Sequence, residues 1–208
     1  MDPLIIGGLA LLLMGGRGGK GGSSAARTDA ATDGAVLQAR ANQPSAAKWG
    51  VYFRNQGLPS LVADALVRWT GIESAGFPTR PSAIGELGLL QCQQATALQV
   101  GGPYNAAEWA ALGSAATTNE EQTRLAIKLY QWCWKRAKRL ITNPPDGLLD
   151  TVWYAKLYHQ RPKDVKDGHL HGPAKMMARE LAVSWRNDAQ KMHYLRAANV
   201  VAFGVPAP

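Results

Sequence analysis

The chain has 208 residues and carries 23 lysines and arginines against 15 aspartates and glutamates, a formal net charge of +8. Hydrophobic residues make up 46% of it, enough for one domain with a sizeable core, and the basic charge favours anionic partners. The two cysteines, Cys92 and Cys133, are too few for a disulfide scaffold and lack metal-ligand spacing, so they fit buried thiols or one disulfide.

The first 35 residues differ in character from the rest of the chain. The apolar run Leu4–Met14 is about half the length of a membrane-spanning helix and lacks the preceding positive charge of a secretory signal. A Gly/Ser-rich stretch follows and predicts a flexible linker. We therefore expect residues 1–35 to be an attachment segment that inserts into a membrane, remains as a signal-like anchor or packs on a partner protein. Residues 36–208 should form the main domain.

The first clear helix is predicted over residues 58–74. Apolar side chains recur there at steps of three and four residues, which is the spacing of one helix face. Ser60 is placed to cap the N-terminus. The apolar face comprises Leu61, Val62, Ala65, Leu66 and Trp69.

Three further helices follow in the sequence. Residues 117–140 carry a capping-box pattern in Thr118 and Glu121 and end in a basic cluster, where the helix dipole favours cations. Residues 148–160 and residues 172–201 complete the set. Since no strand-like alternation of useful length appears, the pattern predicts a mainly α domain.

Glu73 lies where a carboxylate is not expected, in the last turn of the first predicted helix and beside its apolar face. The helix dipole disfavours a negative charge there, and partial burial would raise the pKa of the carboxyl group. A glutamate with a raised pKa is suited to act as a general acid. The alternative is a structural role, in which Glu73 caps the helix or pairs with Arg68 or Arg80.

The segment "GIESAGFPTRPSAIGELGLLQ", residues 71–91, resembles the "ES…S…GA.GLMQ" signature of the soluble lytic transglycosylase family. The matching positions are Glu73 with Ser74, Ser82, Gly85, and "GLLQ" at 88–91. The resemblance implies a lysozyme-like helical domain that cleaves the bond between N-acetylmuramic acid and N-acetylglucosamine in peptidoglycan without a cofactor. It implies that Glu73 first protonates the bridging oxygen and then takes the proton of the muramyl C6 hydroxyl, which closes a 1,6-anhydro ring.

The same resemblance implies the substrate contacts. Ser82 and Gln91 match positions that line the groove, and Gly88 and Leu89 match the floor of the glycan site. The family's "AYNAG" motif is missing, and "DTVWYAKLYHQ" stands roughly in its place. There we expect Tyr154 or Tyr158 to serve beside Glu73, although such aromatic residues also suit a core.

Glu86 stands where the family usually has a small residue. It is either a solvated turn residue or a second carboxylate, which would allow hydrolysis by a lysozyme-type route. Two other features are interpreted as structural. His169 and His171 lack a third metal ligand, and the basic cluster 135–139 is a solvated helix end, so neither a metal nor nucleic acid is an expected partner.

The N-terminal segment, the lack of a good secretion signal and the lack of a wall-binding repeat favour a bacteriophage virion protein. We expect such a protein to open the host cell wall during genome ejection and to act in the host periplasm. Its partners would be glycan strands, other virion proteins through residues 1–35, and a membrane. The alternatives are a periplasmic enzyme of bacterial secretion or conjugation, and a structural part of a tail or ejection device with weak or no activity.

Overall fold

The structure is a computed structural model that describes residues 45–141, 144, 148–162 and 165. Within these residues the chain is helical, and one antiparallel bridge joins Leu87 to Cys92 without a strand forming. The predicted mainly α class is thus confirmed for the described part. Its helices are α1 (Trp49–Asn55), α2 (Ser60–Ser74), α3 (Gln94–Ala97), α4 (Ala106–Gly113), α5 (Asn119–Lys138) and α6 (Leu148–Gln160).

The core lies between α2, α5 and α6, with α1 packed against α2 and α5. The predicted apolar face of α2 points into it, since Val62, Ala65, Leu66 and Trp69 are buried. Burial of large aliphatic and aromatic side chains stabilises this arrangement by roughly 1.5–3 kcal/mol for each side chain. The other large core residues include Trp49, Phe53, Leu89, Leu90, Leu112, Leu125, Leu129 and Trp153.

The helix starts agree with the sequence only in part. Ser60 is the first residue of α2 rather than its cap, because Pro59 occupies the capping position and makes no side-chain bond. Thr118 does cap α5, with its Oγ1 accepting a bond of 3.2 Å from the amide of Glu121. The reciprocal half of that box is absent, since the Glu121 carboxylate binds Arg124 instead.

Several predicted features lie outside the described residues. They are the segment 1–35, the helix expected over residues 172–201, and the two histidines at 169 and 171. In the part of the chain that is described, no helix combines the length and apolar character needed to cross a bilayer. Cys92 and Cys133 are buried free thiols.

A complete capping box, missed in the sequence, opens α4 and is joined to an ion-pair network. The Asn105 side chain accepts from the Glu108 amide at 2.9 Å, and the Glu108 carboxylate accepts from the Asn105 amide at 3.0 Å. The same carboxylate binds Lys128 at 2.6 Å and Arg124 at 3.2 Å. Burial alone would raise the pKa of Glu108, but the hydrogen bonds from Lys128, Asn105 and Arg124 outweigh it and lower that pKa from its ordinary 4.5.

Glu108→Gln is therefore expected to destabilise the fold in a pH-dependent way. A carboxyl group whose pKa is lower in the folded state contributes stability above its unfolded pKa, and this is lost as the pH falls through the folded pKa. We expect the variant to lose roughly 1–2 kcal/mol of unfolding free energy at neutral pH, because Lys128 and Arg124 are partly exposed and screened. Urea unfolding at several pH values measures it.

The gap between Glu108→Gln and the wild type should shrink below pH 4.5. Glu120→Gln is the matched control, because its carboxylate is exposed on the first turn of α5 and makes no ion pair within the described residues. An equal destabilisation by Glu108→Gln at pH 3 and at pH 7 would contradict the electrostatic explanation.

Candidate functional site

Glu73 lies in the last turn of α2, as the sequence predicts, and its side chain is 18% exposed. The helix ends at Ala75, whose φ of 51° is left-handed and turns the chain away from the helix axis. The glutamate therefore sits at a rim, with one side toward the core and the other toward solvent.

Glu73 pairs with Lys156 of α6, a residue that the sequence analysis did not select. Lys156 Nζ binds Glu73 Oε1, and the lysine side chain is 0% exposed. The Nζ also lies 5.0 Å from the centre of the Trp69 ring, one turn back along α2. Buried charged groups are tolerated where they are paired, so this contact explains how a lysine can occupy the core.

The electrostatics of this region follow from its burial. Loss of hydration lowers the pKa of Lys156 well below its ordinary 10.5. Burial also lowers the pKa of His159 to about 3, with a further contribution from nearby Lys156. His159 is therefore neutral at physiological pH. The nearby histidine thus adds no charge to the Glu73–Lys156 pair.

His159 links α6 to the segment that follows Glu73. Its Nε2 lies 2.5 Å from the carbonyl oxygen of Gln91, so Nε2 carries the hydrogen of the neutral ring. The ring packs edge-on against Trp69 with centroids 5.4 Å apart. His159 thereby fixes the distance between α6 and residue 91.

The segment between α2 and Cys92 is held by short backbone contacts. The Ser74 hydroxyl donates to the Leu89 carbonyl at 2.8 Å, which ties the end of α2 to the return of the chain. The Gly88 amide donates to Pro78 at 2.9 Å, and Leu87 and Cys92 pair in both directions. The "ES" and "GLLQ" parts of the motif are therefore brought together by the serine itself.

Ser82 closes a turn and is partly exposed. Its hydroxyl accepts from the amides of Glu86 at 3.1 Å and Ile84 at 3.4 Å, and its own amide donates to the Glu86 carbonyl at 3.1 Å. The hydroxyl is thus used to shape the turn. Because Ser82 is partly exposed, it remains accessible to solvent within the segment.

Gly88, Leu89 and Gln91 are buried, at variance with side chains that line an open groove. Leu89 is 1% exposed and belongs to the core. Gln91 is 2% exposed and donates through Nε2 to the Gly88 carbonyl at 2.8 Å. Within the described structure the side chains of Leu89 and Gln91 pack on the core side of the segment.

The two tyrosines of α6 pack against aromatic and apolar side chains. Tyr154 precedes Lys156 by two residues and Tyr158 follows it by two. At 3.6 residues per turn, each tyrosine lies about 160° around the helix from Lys156. Tyr158 packs edge-on against Trp132, with centroids 5.8 Å apart, and Tyr154 packs against a second cluster that includes Leu157. The assignment of either tyrosine to the glutamate stays a prediction, and Lys156 is the α6 residue that binds Glu73 in the described structure.

Large apolar side chains border the segment on its outer side. Phe77 is 47% exposed and Ile84 is 65% exposed. Sugar rings present apolar faces to aromatic and aliphatic groups, so these two residues suit contact with a glycan. Sequence reasoning did not select them.

The sequence also missed Lys156, although one signal was present. It is the sole charged residue of the apolar run 152–158, which predicts that its ammonium group is buried or reaches outward from the core. Its partner stands 83 residues earlier, and no local pattern reveals such a pairing.

The arrangement offers acid–base chemistry. The carboxyl group of Glu73 lies at the boundary between core and solvent and is bound from the buried side by Lys156. Exposed Phe77 and Ile84 lie in the segment that follows it. In the residues that the structure describes, no group of three or more His, Cys, Asp or Glu side chains could hold a metal ion.

Comparison of the chain with models of protein families, with curated proteins and with solved structures finds no match.

Proposed function

We propose that the protein is a peptidoglycan lytic transglycosylase with a lysozyme-like fold. The observation that carries the proposal is Glu73, a partly buried carboxyl group at a helix end, tied through Ser74 to the segment whose residues match the family signature. A partly buried carboxyl group with one face accessible suits proton transfer to a bound ligand.

The proposed reaction needs one carboxyl group. The Glu73 O–H bond breaks and its proton goes to the bridging oxygen, while the bond from that oxygen to C1 of N-acetylmuramic acid breaks. The C6 hydroxyl oxygen then bonds to C1, and its proton goes to the Glu73 carboxylate. Atoms balance without a water molecule, and the glutamate ends as it began.

The proposed setting is a virion that opens the host cell wall during genome ejection, with residues 1–35 attaching the enzyme to other virion proteins or to a membrane. The basic net charge of +8 supports a wall substrate, because peptidoglycan and its attached polymers are anionic. A periplasmic enzyme of bacterial secretion or conjugation is the alternative setting.

Product analysis tests the activity. Purified peptidoglycan is digested with the full chain, and the muropeptides are separated and weighed by mass spectrometry. We expect 1,6-anhydromuramic ends, which are lighter than reducing ends by one water, because the C6 hydroxyl rather than water closes the reaction. Reducing ends alone would instead indicate a lysozyme-type hydrolase, and Glu86→Gln would then identify its second carboxylate.

A second candidate is a structural protein that keeps a helical domain of this kind without activity. Two observations favour it: the family's "AYNAG" motif is missing, and Leu89 and Gln91, which stand at motif positions, have buried side chains. Absence of any soluble product after prolonged digestion would decide for this candidate.

A further inference from the structure

Lys156 is a core residue with an ionisable group and few partners. It is buried from all sides, and Glu73 Oε1 is the one oxygen described in contact with its Nζ. An ammonium group has three N–H donors, so two remain without an oxygen partner among the described residues. The face of Trp69, 5.0 Å away, partly compensates for a cation there.

Several titratable groups on the elements packed around this contact are neutral. His159, one turn along α6, is uncharged. On the segment that returns from Glu73, Cys92 has a pKa raised to about 12, by burial and then by the charge of Glu86. From α5, burial and then the nearby Cys92 hold the pKa of Cys133 well above its ordinary value.

Tyr130, also on α5, has a pKa that burial raises despite its bond to Thr151. The one cation of α2 is Arg68, about 100° around that helix from Trp69. Glu73 and Lys156 form the ion pair that the structure records between α2 and α6.

We propose that Lys156 is a positioning residue for Glu73 and stores the proton that Glu73 delivers to the substrate. The proposal rests on the proposed transglycosylase activity. Lys156 holds Oε1 from the buried side, which leaves Oε2 as the oxygen directed to a ligand. At rest the pair carries one proton, since adding or removing one would leave an uncompensated buried charge.

The proton moves within the pair during the reaction. At rest it lies on Nζ, and Glu73 is a carboxylate. As the substrate binds, it passes to the carboxylate, which leaves a neutral amine and a neutral acid. The acid then protonates the bridging oxygen. The proton of the C6 hydroxyl passes to Glu73 and from there to Lys156 Nζ, so the pair regains its single proton.

Burial makes this transfer feasible. A lysine in water holds its proton far more strongly than a glutamate, by about six pKa units. Loss of hydration weakens the hold of Lys156, which brings the two groups closer in proton affinity. The deprotonated pair carries a buried negative charge and is therefore a strong base for the C6 hydroxyl.

Two substitutions separate proton storage from a simple ion pair. Lys156→Arg keeps a cation but holds its proton permanently, so we expect peptidoglycan cleavage at pH 7 to fall by about a hundredfold or more. Lys156→Met removes the stored proton. Glu73 must then take its proton from solvent, so we expect activity to fall about tenfold or more at pH 8 and to recover substantially near pH 5.

A control and a second readout complete the test. Lys48→Met is the matched control, because the Nζ of exposed Lys48 also lies 5.0 Å from a tryptophan ring, that of Trp49 on α1. It should leave the pH profile unchanged. Carbon-13 NMR of the Glu73 carboxyl group, assigned by its loss in Glu73→Gln, should show a titration midpoint at higher pH in Lys156→Met than in the full-length wild type.

The outcomes are distinct. A Lys156→Arg variant with wild-type activity and pH profile overturns the proposal, since a permanent cation would then suffice. An unchanged carboxyl titration in Lys156→Met overturns it as well, whether or not the chain is active. A wild type that releases no muropeptides rejects the proposed function itself, and the carboxyl titration then shows separately whether the pair exists.

Discussion

Glu73→Gln is expected to reduce peptidoglycan cleavage by about a thousandfold or more, because it removes the one group that exchanges protons with the substrate in the proposed reaction. Glutamine has nearly the same shape and keeps an oxygen that can accept from Lys156. The fold should persist at 25 °C, since Lys156 can lose its proton rather than remain an unpaired buried cation. Turbidity clearance of purified peptidoglycan measures the loss, and circular dichroism verifies the helical content.

Glu86→Gln is the matched control for that variant. Glu86 lies in the same segment, is partly exposed and has no described side-chain hydrogen bond. Its substitution should leave the cleavage rate within about twofold, since surface substitutions away from special contacts have small effects. Clearance by Glu73→Gln at a rate near that of Glu86→Gln would reject the assignment of the acid.

Gly88→Ala is expected to destabilise the fold by about 2–4 kcal/mol through two costs that add. The residue has a φ of +87°, which an L side chain rarely adopts. An added Cβ would also lie 2.8 Å from Leu112 Cδ2, closer than van der Waals contact permits. Cleavage should fall with stability, because Gly88 precedes the Leu89 carbonyl that holds Ser74. Urea unfolding measures the change.

Gly85→Ala separates the two costs. Gly85 has a similar φ of +78°, yet an added Cβ would meet no atom within 4 Å. It should therefore show the backbone strain alone, about 1–2 kcal/mol. Leu112→Ala should lessen the additional effect of Gly88→Ala when the two are combined. If both glycine variants are destabilised equally, the contact with Leu112 contributes nothing.

The elements that the sequence predicts well are those with long, regular patterns. The apolar spacing in α2 identifies its buried face, and the run 148–160 coincides with α6. Glu73 could be selected because its position conflicts with the pattern around it. Short helices such as α1 and α4 carry too few periodic residues to be located, although Asn105 and Glu108 mark the start of α4 once the structure is known.

The site itself depends on contacts between distant parts of the chain. Leu89 and Gln91 occupy motif positions, but spacing along the chain cannot tell whether a side chain faces a groove or the core. The pairing of Lys156 with Glu73 depends on how α6 rotates against α2. That rotation is set by packing around Trp69 and His159, which no local pattern records.

The two buried thiols have a consequence for where the chain can keep its fold. Thiolates are the forms that react with oxidants and disulfides, and the raised pKa values of Cys92 and Cys133 keep both groups protonated. A protein made in a reducing cytoplasm and working in an oxidising envelope meets opposite redox conditions during its life. In the proposed setting, with both sulfur atoms enclosed and protonated, the described domain would meet both conditions without forming or breaking a covalent cross-link of its own.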